Sequence, residues 1–578
     1  MLILFLIFLY SVGYSQTFTN VANQAGVEVV SDYLAIGDIN GDMYPDIYIA
    51  LDNFGNGWAP DMLFLNNGDG TFRDVYDSVG LHRHSFYGHH VTFGDFTNDG
   101  FLDLFNGSDT IYINNGMGSF TPYNLSLGIN LPVDYVLGSF VFDLNNDGLL
   151  DICYDYTPRV GTSKCVILIN KGNLIFEKKY LPDFGIPYYE GRLFWTDLNN
   201  DVYPDLLVMG DTTTRVYLNN RNSTFSYLTS FGRGVYSFGD INNDGFIDMM
   251  VTNRSGLIKL YKNNGNNTFT DITNSAGLDV VVSWGGPNMA DFNNDGYLDI
   301  YISQNERLDY LFINNKNETF VNIVPDSCYM KGGGYVGILD YDLDGDIDLY
   351  VQNSSLTPYN DWKNFLYRNN LSDRYDGTNN WIVLNLRGYK SNASAVGTRV
   401  ECYSKSDTEY LSQVRYVGMK YVSQAMLPVH FGLGKSQIID SIVIKWPSGI
   451  KQVLRNVTPN QYLNISEDTT LIRVEDDLKR EISFSLHQNY PNPFNSKTKI
   501  GFTIASTELN STKGDVITTL KVYDLLGREI ATLVNEPKQA GEYEVEFDAD
   551  KYGLTSGVYL YELRSGSFKM AKKFVLMK

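Results

Sequence analysis

The sequence predicts an all-β protein, on three observations. A nine-residue acidic loop is written seven times, an asparagine-rich turn recurs downstream of it, and a strand missing from the last repeat is found near the N-terminus. The loops begin at Asp38, Asp95, Asp143, Asp197, Asp240, Asp291 and Asp340, each with aspartate at its first, fifth and ninth positions. Their intervals of 57, 48, 54, 43, 51 and 49 residues are those of a propeller or solenoid. Apolar segments flank each loop, such as Val91-Thr92-Phe93-Gly94 before the second and Asp46-Ile47-Tyr48-Ile49 within and after the first, so each loop joins two strands.

The second turn appears as Leu65-Asn66-Asn67-Gly68, Ile113-Asn114-Asn115-Gly116, Leu218-Asn219-Asn220, Tyr261-Lys262-Asn263-Asn264-Gly265 and Ile313-Asn314-Asn315. In several repeats a Thr-Phe strand follows it, as at Thr71-Phe72, which makes a second hairpin and four strands per repeat, the size of a propeller blade. After Phe365–Asn370 no Thr-Phe strand follows. Thr17-Phe18-Thr19-Asn20-Val21 reads instead like Thr268-Phe269-Thr270-Asp271-Ile272. The N-terminal strand is therefore expected to complete the last blade and close a seven-bladed β-propeller over residues 16–375, leaving no open sheet edge.

Alternate residues of a tight loop point oxygens at one centre, and three carboxylates with an amide and a backbone carbonyl suit a hard cation, calcium above all. The candidate ligands are Asp38, Asn40, Asp42, Tyr44 and Asp46; Asp95, Thr97, Asp99, Phe101 and Asp103; Asp143, Asn145, Asp147, Leu149 and Asp151; Asp197, Asn199, Asp201, Tyr203 and Asp205; Asp240, Asn242, Asp244, Phe246 and Asp248; Asp291, Asn293, Asp295, Tyr297 and Asp299; and Asp340, Asp342, Asp344, Asp346 and Asp348. The fourth residue of each set lends its main-chain carbonyl. Up to seven Ca²⁺ ions are expected. An EF-hand is excluded, because its twelfth-position glutamate is replaced by Ile49, Asn106, Tyr154, Val208, Val251, Ile302 and Val351. The sixth position is glycine in five loops but Met43 and Val202 in the first and fourth. If that position needs a positive φ, these two sites are the weakest.

These motifs resemble the FG-GAP/VCBS repeats of integrin α-subunits and, more closely, the cartilage acidic protein family. That resemblance implies a secreted calcium-binding propeller used for binding, and implies no reaction. Residues 380–467 carry Ser391-Asn392, Val396-Gly397-Thr398-Arg399-Val400, Ser423-Gln424, His430-Phe431-Gly432-Leu433-Gly434 and Ile444-Lys445-Trp446-Pro447-Ser448-Gly449, and resemble the ASPIC/UnbV domain. His430 reads there as structural, and Ala393 stands where that family often has a basic residue. Residues 468–482 read as a charged linker. Residues 483–578, with Asn489-Tyr490-Pro491-Asn492-Pro493-Phe494-Asn495, Val522-Tyr523-Asp524-Leu525-Leu526-Gly527-Arg528 and Ser556-Gly557-Val558-Tyr559-Leu560-Tyr561, closely resemble the type A sorting domain of the type IX secretion system of Bacteroidota. An Ig-like β-sandwich and contact with that machinery are expected of them.

The formal charge of −22 is mostly ligand charge, and seven Ca²⁺ would bring it to −8. Acidity is thus no sign of a basic partner, and no Lys/Arg patch points to nucleic acid. Residues 1–15 read as a signal peptide: an apolar run to Tyr10, then Gly13-Tyr14-Ser15. That run is too short to span a membrane, and no later stretch qualifies. Together with the resemblance to the sorting domain, this implies delivery to the surface or medium of a Gram-negative, Bacteroidota-like bacterium. Four cysteines are too few for a disulfide scaffold; Cys153 and Cys165 fall in one blade, where pairing competes with burial as apolar residues.

His82, His84, His89 and His90 cluster before the second loop without an acidic partner at a motif spacing, so decoration of a surface competes with a metal or acid–base site. No nucleophile elbow, phosphate loop or zinc-ligand spacing is present. Two function classes remain. One is an extracellular binding or adhesion protein, with tyrosine-rich loop faces that contact glycan or protein. The alternative is a polysaccharide-degrading enzyme built on a calcium propeller.

Overall fold

The computed structural model describes residues 18–578 except 32, 51–60, 82–90, 108–109, 117, 126–132, 159–163, 188–191, 254, 257, 283–285, 305–306, 324–333, 354–362, 371–378, 407–408, 419–427, 470–484, 487–488, 490–491, 493, 505–515, 525–526, 539–540 and 566–567. The signal segment, the four clustered histidines, Cys328 and most of the expected linker lie outside the described residues. The chain divides into two compact units, 1–474 and 475–578.

The first unit begins with seven four-stranded antiparallel sheets. The first is Tyr33–Gly37, Asp46–Ala50, Met62–Asn66 and Phe72–Asp74. In the last, Val336–Leu339, Asp348–Val351 and Phe365–Asn369 receive Phe18–Asn20 as their outer strand, with Phe18 opposite Asn369. The N-terminal strand thus fills the place the sequence left vacant. Phe18 is 1% exposed and sits edge-on to Phe292.

Asparagines of the second turn order the sheets. The Nδ2 of Asn114, Asn170, Asn219, Asn263, Asn314 and Asn369 donates to the carbonyl of Ile39, Phe96, Leu144, Leu198, Ile241 and Phe292 in the preceding sheet, at 2.7–3.4 Å. The seventh, Asn66, donates to Tyr341 of the last sheet at 2.8 Å, and the ring is closed. Apolar residues fill the spaces between sheets: Ile36, Ile47, Phe72, Leu339 and Tyr341 share one cluster across the seam. The protein is all-β in its main architecture, a β-propeller.

A β domain follows the ring within the same unit. One sheet has the order Val429–Gly434, Asn380–Arg387, Tyr462–Ser466, the last pair parallel; the other has Tyr410–Tyr416, Arg399–Lys405, Ile439–Lys445, Lys451–Val457. Both contribute to one core around Trp446, Phe431 and Ile442. The second unit is also two sheets, one of Ser485–Leu486, Lys497–Ile504 and Gly541–Asp548, the other of Glu529–Lys538, Val516–Tyr523, Gly557–Ser565 and Phe568–Leu576. Phe502, Phe547, Tyr561 and Phe574 pack between them.

Candidate metal centres

All seven acidic loops share one hydrogen-bond scheme. The first aspartate accepts two main-chain N–H groups: the fifth residue's on Oδ1, at 3.0–3.1 Å, and the sixth residue's on Oδ2, at 2.6–2.9 Å. That wrapping forces the sixth residue to a left-handed conformation, as the sequence suggested. Gly100, Gly148, Gly245, Gly296 and Gly345 take φ of 85–98°, and Met43 and Val202 are held at 76° and 71°. A branched side chain there costs about 1–2 kcal/mol.

The ninth aspartate does more than its assigned role as a ligand. Its Oδ2 accepts the N–H of the loop's second residue, and its Oδ1 accepts the N–H of the first asparagine in the second turn; in the first sheet these are Ile39 at 3.0 Å and Asn66 at 2.9 Å. The same pair of bonds recurs at Asp103, Asp151, Asp205, Asp248, Asp299 and Asp348. Each carboxylate staples the two hairpins of its sheet, and all seven are 0% exposed.

Burial penalises the charged forms and pushes their pKa values up. Asp95 and Asp240 rise to about 6, Asp103, Asp143 and Asp291 to about 7, and Asp46, Asp248 and Asp340 to about 8. Desolvation is the main cause, and neighbouring loop carboxylates add to it. Carboxylates raised to about 8, such as Asp46, Asp248 and Asp340, are fully ionised at neutral pH only with a compensating charge.

The residues fit a calcium ion. In the seventh loop, carboxylate oxygens of Asp340, Asp342 and Asp348 lie within 4.8 Å of one another, about the span across an ion whose oxygen ligands stand at ~2.3–2.6 Å. Asp342 Oδ1 is buried without a hydrogen-bond partner. Four loops also meet a basic side chain from the neighbouring hairpin. Arg221 lies 3.2 Å from Asp201, Lys262 3.8 Å from Asp244, Lys316 3.7 Å from Asp295, and Arg368 2.9 Å from Asp342.

The fourth loop position, to which the sequence reading gave no role, joins neighbouring loops. Asn98, Asn146, Asn200, Asn243 and Asn294 each donate Nδ2 to the sixth-position carbonyl of the next loop, at 2.7–3.3 Å. They too are left-handed, at φ of 53–63°. Asparagine tolerates that region and its amide reaches sideways. Five asparagines at one position were the signal for this.

The domain after the ring sits on the acidic-loop face. Tyr416 Oη donates to Asp197 at 2.9 Å, and Tyr462 Oη donates to Asp340. Arg399 donates to Asn200 Oδ1 at 2.6 Å and to the Gly245 carbonyl at 3.1 Å. The main-chain N–H of Asp95 donates to Ser394 Oγ, and the charge of Arg415 bears on Asp240 and Asp291. Ala393 meets Asn98 through its main-chain N–H at 2.9 Å, a contact indifferent to its side chain. His430 lies against the Gly345 carbonyl at 3.1 Å, and burial lowers its pKa to about 4, so it is a neutral packing residue. The acidic face, one of the loop faces expected to receive a ligand, is therefore covered by the chain's own cap. A cavity of about 380 Å³ remains under it, among Asp38, Asp95, Asp340, Arg387, His430 and Tyr462.

Three family descriptions match these regions in order. The FG-GAP-like repeat matches residues 38–105, 240–302 and 291–351, ASPIC and UnbV matches 388–471, and the secretion-system C-terminal sorting domain matches 488–577. The chain is an FG-GAP-like repeat protein with an ASPIC/UnbV domain and a sorting domain. The third and fourth loops fall outside the matched segments, yet they share the geometry of the rest.

Among curated proteins it is similar to cartilage acidic protein 1 of Homo sapiens, 28% identical over 256 residues that make up 41% of this chain and 36% of that one. It is also similar to cartilage acidic protein 1 of Xenopus tropicalis, 27% identical over 330 residues, 45% of this chain and 49% of that one. The alignments thus span about a third to a half of these relatives' length. Two solved structures show loose likeness. One concerns recognition of non-reducing terminal N-acetylglucosamine by an Agrocybe aegerita lectin (17% identity, 55% of this chain and 88% of that one, TM-score 0.37). The other is PorZ of the type IX secretion system of Porphyromonas gingivalis (10% identity, 95% and 82%, TM-score 0.22). Neither score is high enough to assign a fold or a ligand. The sorting domain marks a secreted or cell-surface protein of a Bacteroidota-type bacterium. Among the described residues, no helix is long and apolar enough to cross a membrane.

Proposed function

We propose that this is a calcium-dependent extracellular binding protein that recognises a glycan or protein ligand and reaches the cell exterior through the type IX machinery, which its C-terminal unit engages. The carrying observation is the convergence of buried carboxylate oxygens in the seventh loop, on a backbone scheme repeated in the other six. When bound, each ion supplies positive charge that keeps its loop carboxylates ionised. The chain's own residues do the rest. Ninth-position aspartates hold each sheet's hairpins together, turn asparagines hold sheet to sheet, and Tyr416, Tyr462 and Arg399 fix the cap. The product is a rigid body whose ligand surfaces are the cap exterior and the ring face away from the acidic loops.

The test is binding of the purified full-length protein to glycan and protein arrays, in Ca²⁺ and in EDTA. Retention in Ca²⁺ with loss in EDTA supports the reading. Binding unchanged by EDTA refutes calcium dependence, and release of reducing ends or unsaturated products from plant or algal polysaccharide would make the protein an enzyme instead.

A further inference from the structure

Within the third sheet, strands Asp151–Pro158 and Lys164–Asn170 pair antiparallel, with Cys153 opposite Ile167 and Asp155 opposite Cys165. Residues two apart on a strand share a face, as do direct cross-strand partners. Cys153, Asp155 and Cys165 therefore project from one face of the sheet. They are 0%, 0% and 5% exposed. The two sulfurs are 3.1 Å apart, and both lie within 4.8 Å of a carboxylate oxygen of Asp155. Asp155 Oδ2 accepts the N–H of Leu193 at 3.2 Å, whereas Asp155 Oδ1 is buried with no hydrogen-bond partner.

The Cys165 thiol donates to the Asp155 carboxylate, which raises the thiol's pKa, so thiol and carboxylate are already partners, and one buried carboxylate oxygen still has none. A disulfide suits the register poorly. The cysteines are diagonal rather than opposite, and diagonal neighbours stand farther apart than the ~3.5–4.5 Å that an S–S bridge requires between Cβ atoms. Two sulfurs on one tetrahedral metal, at bonds of ~2.3 Å, stand about 3.8 Å apart, so the two thiols, 3.1 Å apart here, must separate by more than half an ångström on binding.

We propose that Cys153, Asp155 and Cys165 bind one thiophilic divalent cation of the Zn²⁺ class, at a site separate from the seven acidic loops. On binding, each thiol releases its proton to solvent and forms a sulfur–metal bond, Asp155 Oδ1 supplies the third donor, and no electron is transferred. The two thiolates, the carboxylate and a divalent ion sum to one negative charge. The charge of Arg192, which already acts on Asp155, opposes it. Three protein donors leave one position of a tetrahedron open.

Co²⁺ reports on the site without confusion from the acidic loops, because only thiolate ligands give a sulfur-to-cobalt charge-transfer band. Full-length protein kept in Ca²⁺ should develop that band with one equivalent of Co²⁺ and lose it when Zn²⁺ is added. Cys153→Ser and Cys165→Ser should abolish it, while Cys402→Ser, at a buried thiol of the domain after the ring, should leave it intact. Should the cysteine variants fail to fold, metal analysis of the wild-type protein decides: gel-filtered in Ca²⁺ after incubation with Zn²⁺, it should carry one equivalent of zinc, and a thiol-specific mercurial should release it. Absence of the band in folded protein, or a Cys153–Cys165 peptide two hydrogens lighter than its reduced form, overturns the proposal.

Discussion

Two arcs of the ring hold together differently. From the second loop round to the seventh, every junction has two asparagine ties, one from the second turn and one from the fourth loop position. At the junctions seven-to-one and one-to-two the fourth position is Leu343 and Gly41, which have no amide, so among the described residues the loop-face ties there come from the second turn alone, from Asn66 and Asn114. Both residues line the cavity beneath the cap, and Asp38 of that arc is half-buried where the other first-position aspartates are buried. Repetition stabilises a ring, and departure from the repeat makes room in it.

Calcium removal should act on both arcs and have the largest effect. With dissociation constants of ~10⁻⁴–10⁻³ M, tenfold saturation contributes about 1.4 kcal/mol per ion. Seven ions contribute about 10 kcal/mol, comparable with a domain's whole stability. EDTA should lower the melting temperature of the first unit steeply, Ca²⁺ should restore it, and Mg²⁺ should do so poorly. Hydrogen exchange in chelator should rise first at 33–50 and 91–105; an even rise around the ring would erase the difference between the arcs.

Chelation also sets the sign of the pH response. Folding raises the first- and ninth-position carboxylates from the ordinary range near 4, to about 6 for Asp95 and about 8 for Asp340. A raised folded value gives stability that is fully present below the unfolded pKa and lost as pH climbs through the folded one. The chelated protein should therefore melt higher at pH 5 than at pH 8, and saturating Ca²⁺ should reverse the order. A chelated protein more stable at pH 8 would show that burial does not dominate these groups.

Asn66→Ala leaves the carbonyls of Tyr341 and Pro45 without their donor at a junction with one tie, whereas Asn263→Ala does the equivalent to Leu198 and Ile247 where a second tie remains. The first should cost about 2–3 kcal/mol in urea unfolding and the second clearly less; equal costs would mean that the fourth-position ties contribute nothing. Val202→Gly removes a branched residue held at φ 71° and should add about 1 kcal/mol and tighten the fourth loop for Ca²⁺. That loop, with Arg221 at Asp201 as well, is expected to be the weakest of the seven. The smallest effect is Leu343→Asn, which places an amide at φ 57° facing the first loop. A gain of about 0.5–1 kcal/mol should extend the doubly tied arc, and a loss would show that Leu343 packs where an amide cannot.

Much of this was legible because the repeat is strict. Odd loop positions face one centre, so carboxylates at one, five and nine announce a cation without any tertiary contact. Glycine at the sixth position in five loops announces a left-handed turn, and the φ values of Met43 and Val202 bear that out. The fourth-position ties were written in the same lines but overlooked, because even positions face neighbouring loops, which a reading of one loop at a time does not include. The cysteine pair was legible as proximity only; its diagonal register and the partnerless Asp155 oxygen needed the sheet.

By itself the sequence determined the β character, the repeat, the closing role of Phe18 and the residues available to hold ions, since these depend on local periodicity and side-chain chemistry. Tertiary structure alone decided that the second β domain lies over the acidic loops, with Tyr416 and Tyr462 on the carboxylates of Asp197 and Asp340. It also decided that the cavity opens where Gly41 and Leu343 break the ring of ties. The physical reason is reach. A hydrogen bond or a hairpin between near neighbours leaves its pattern in the order of residues, whereas docking of one face on another depends on complementarity between side chains up to 421 positions apart, as between Met43 and Asn464.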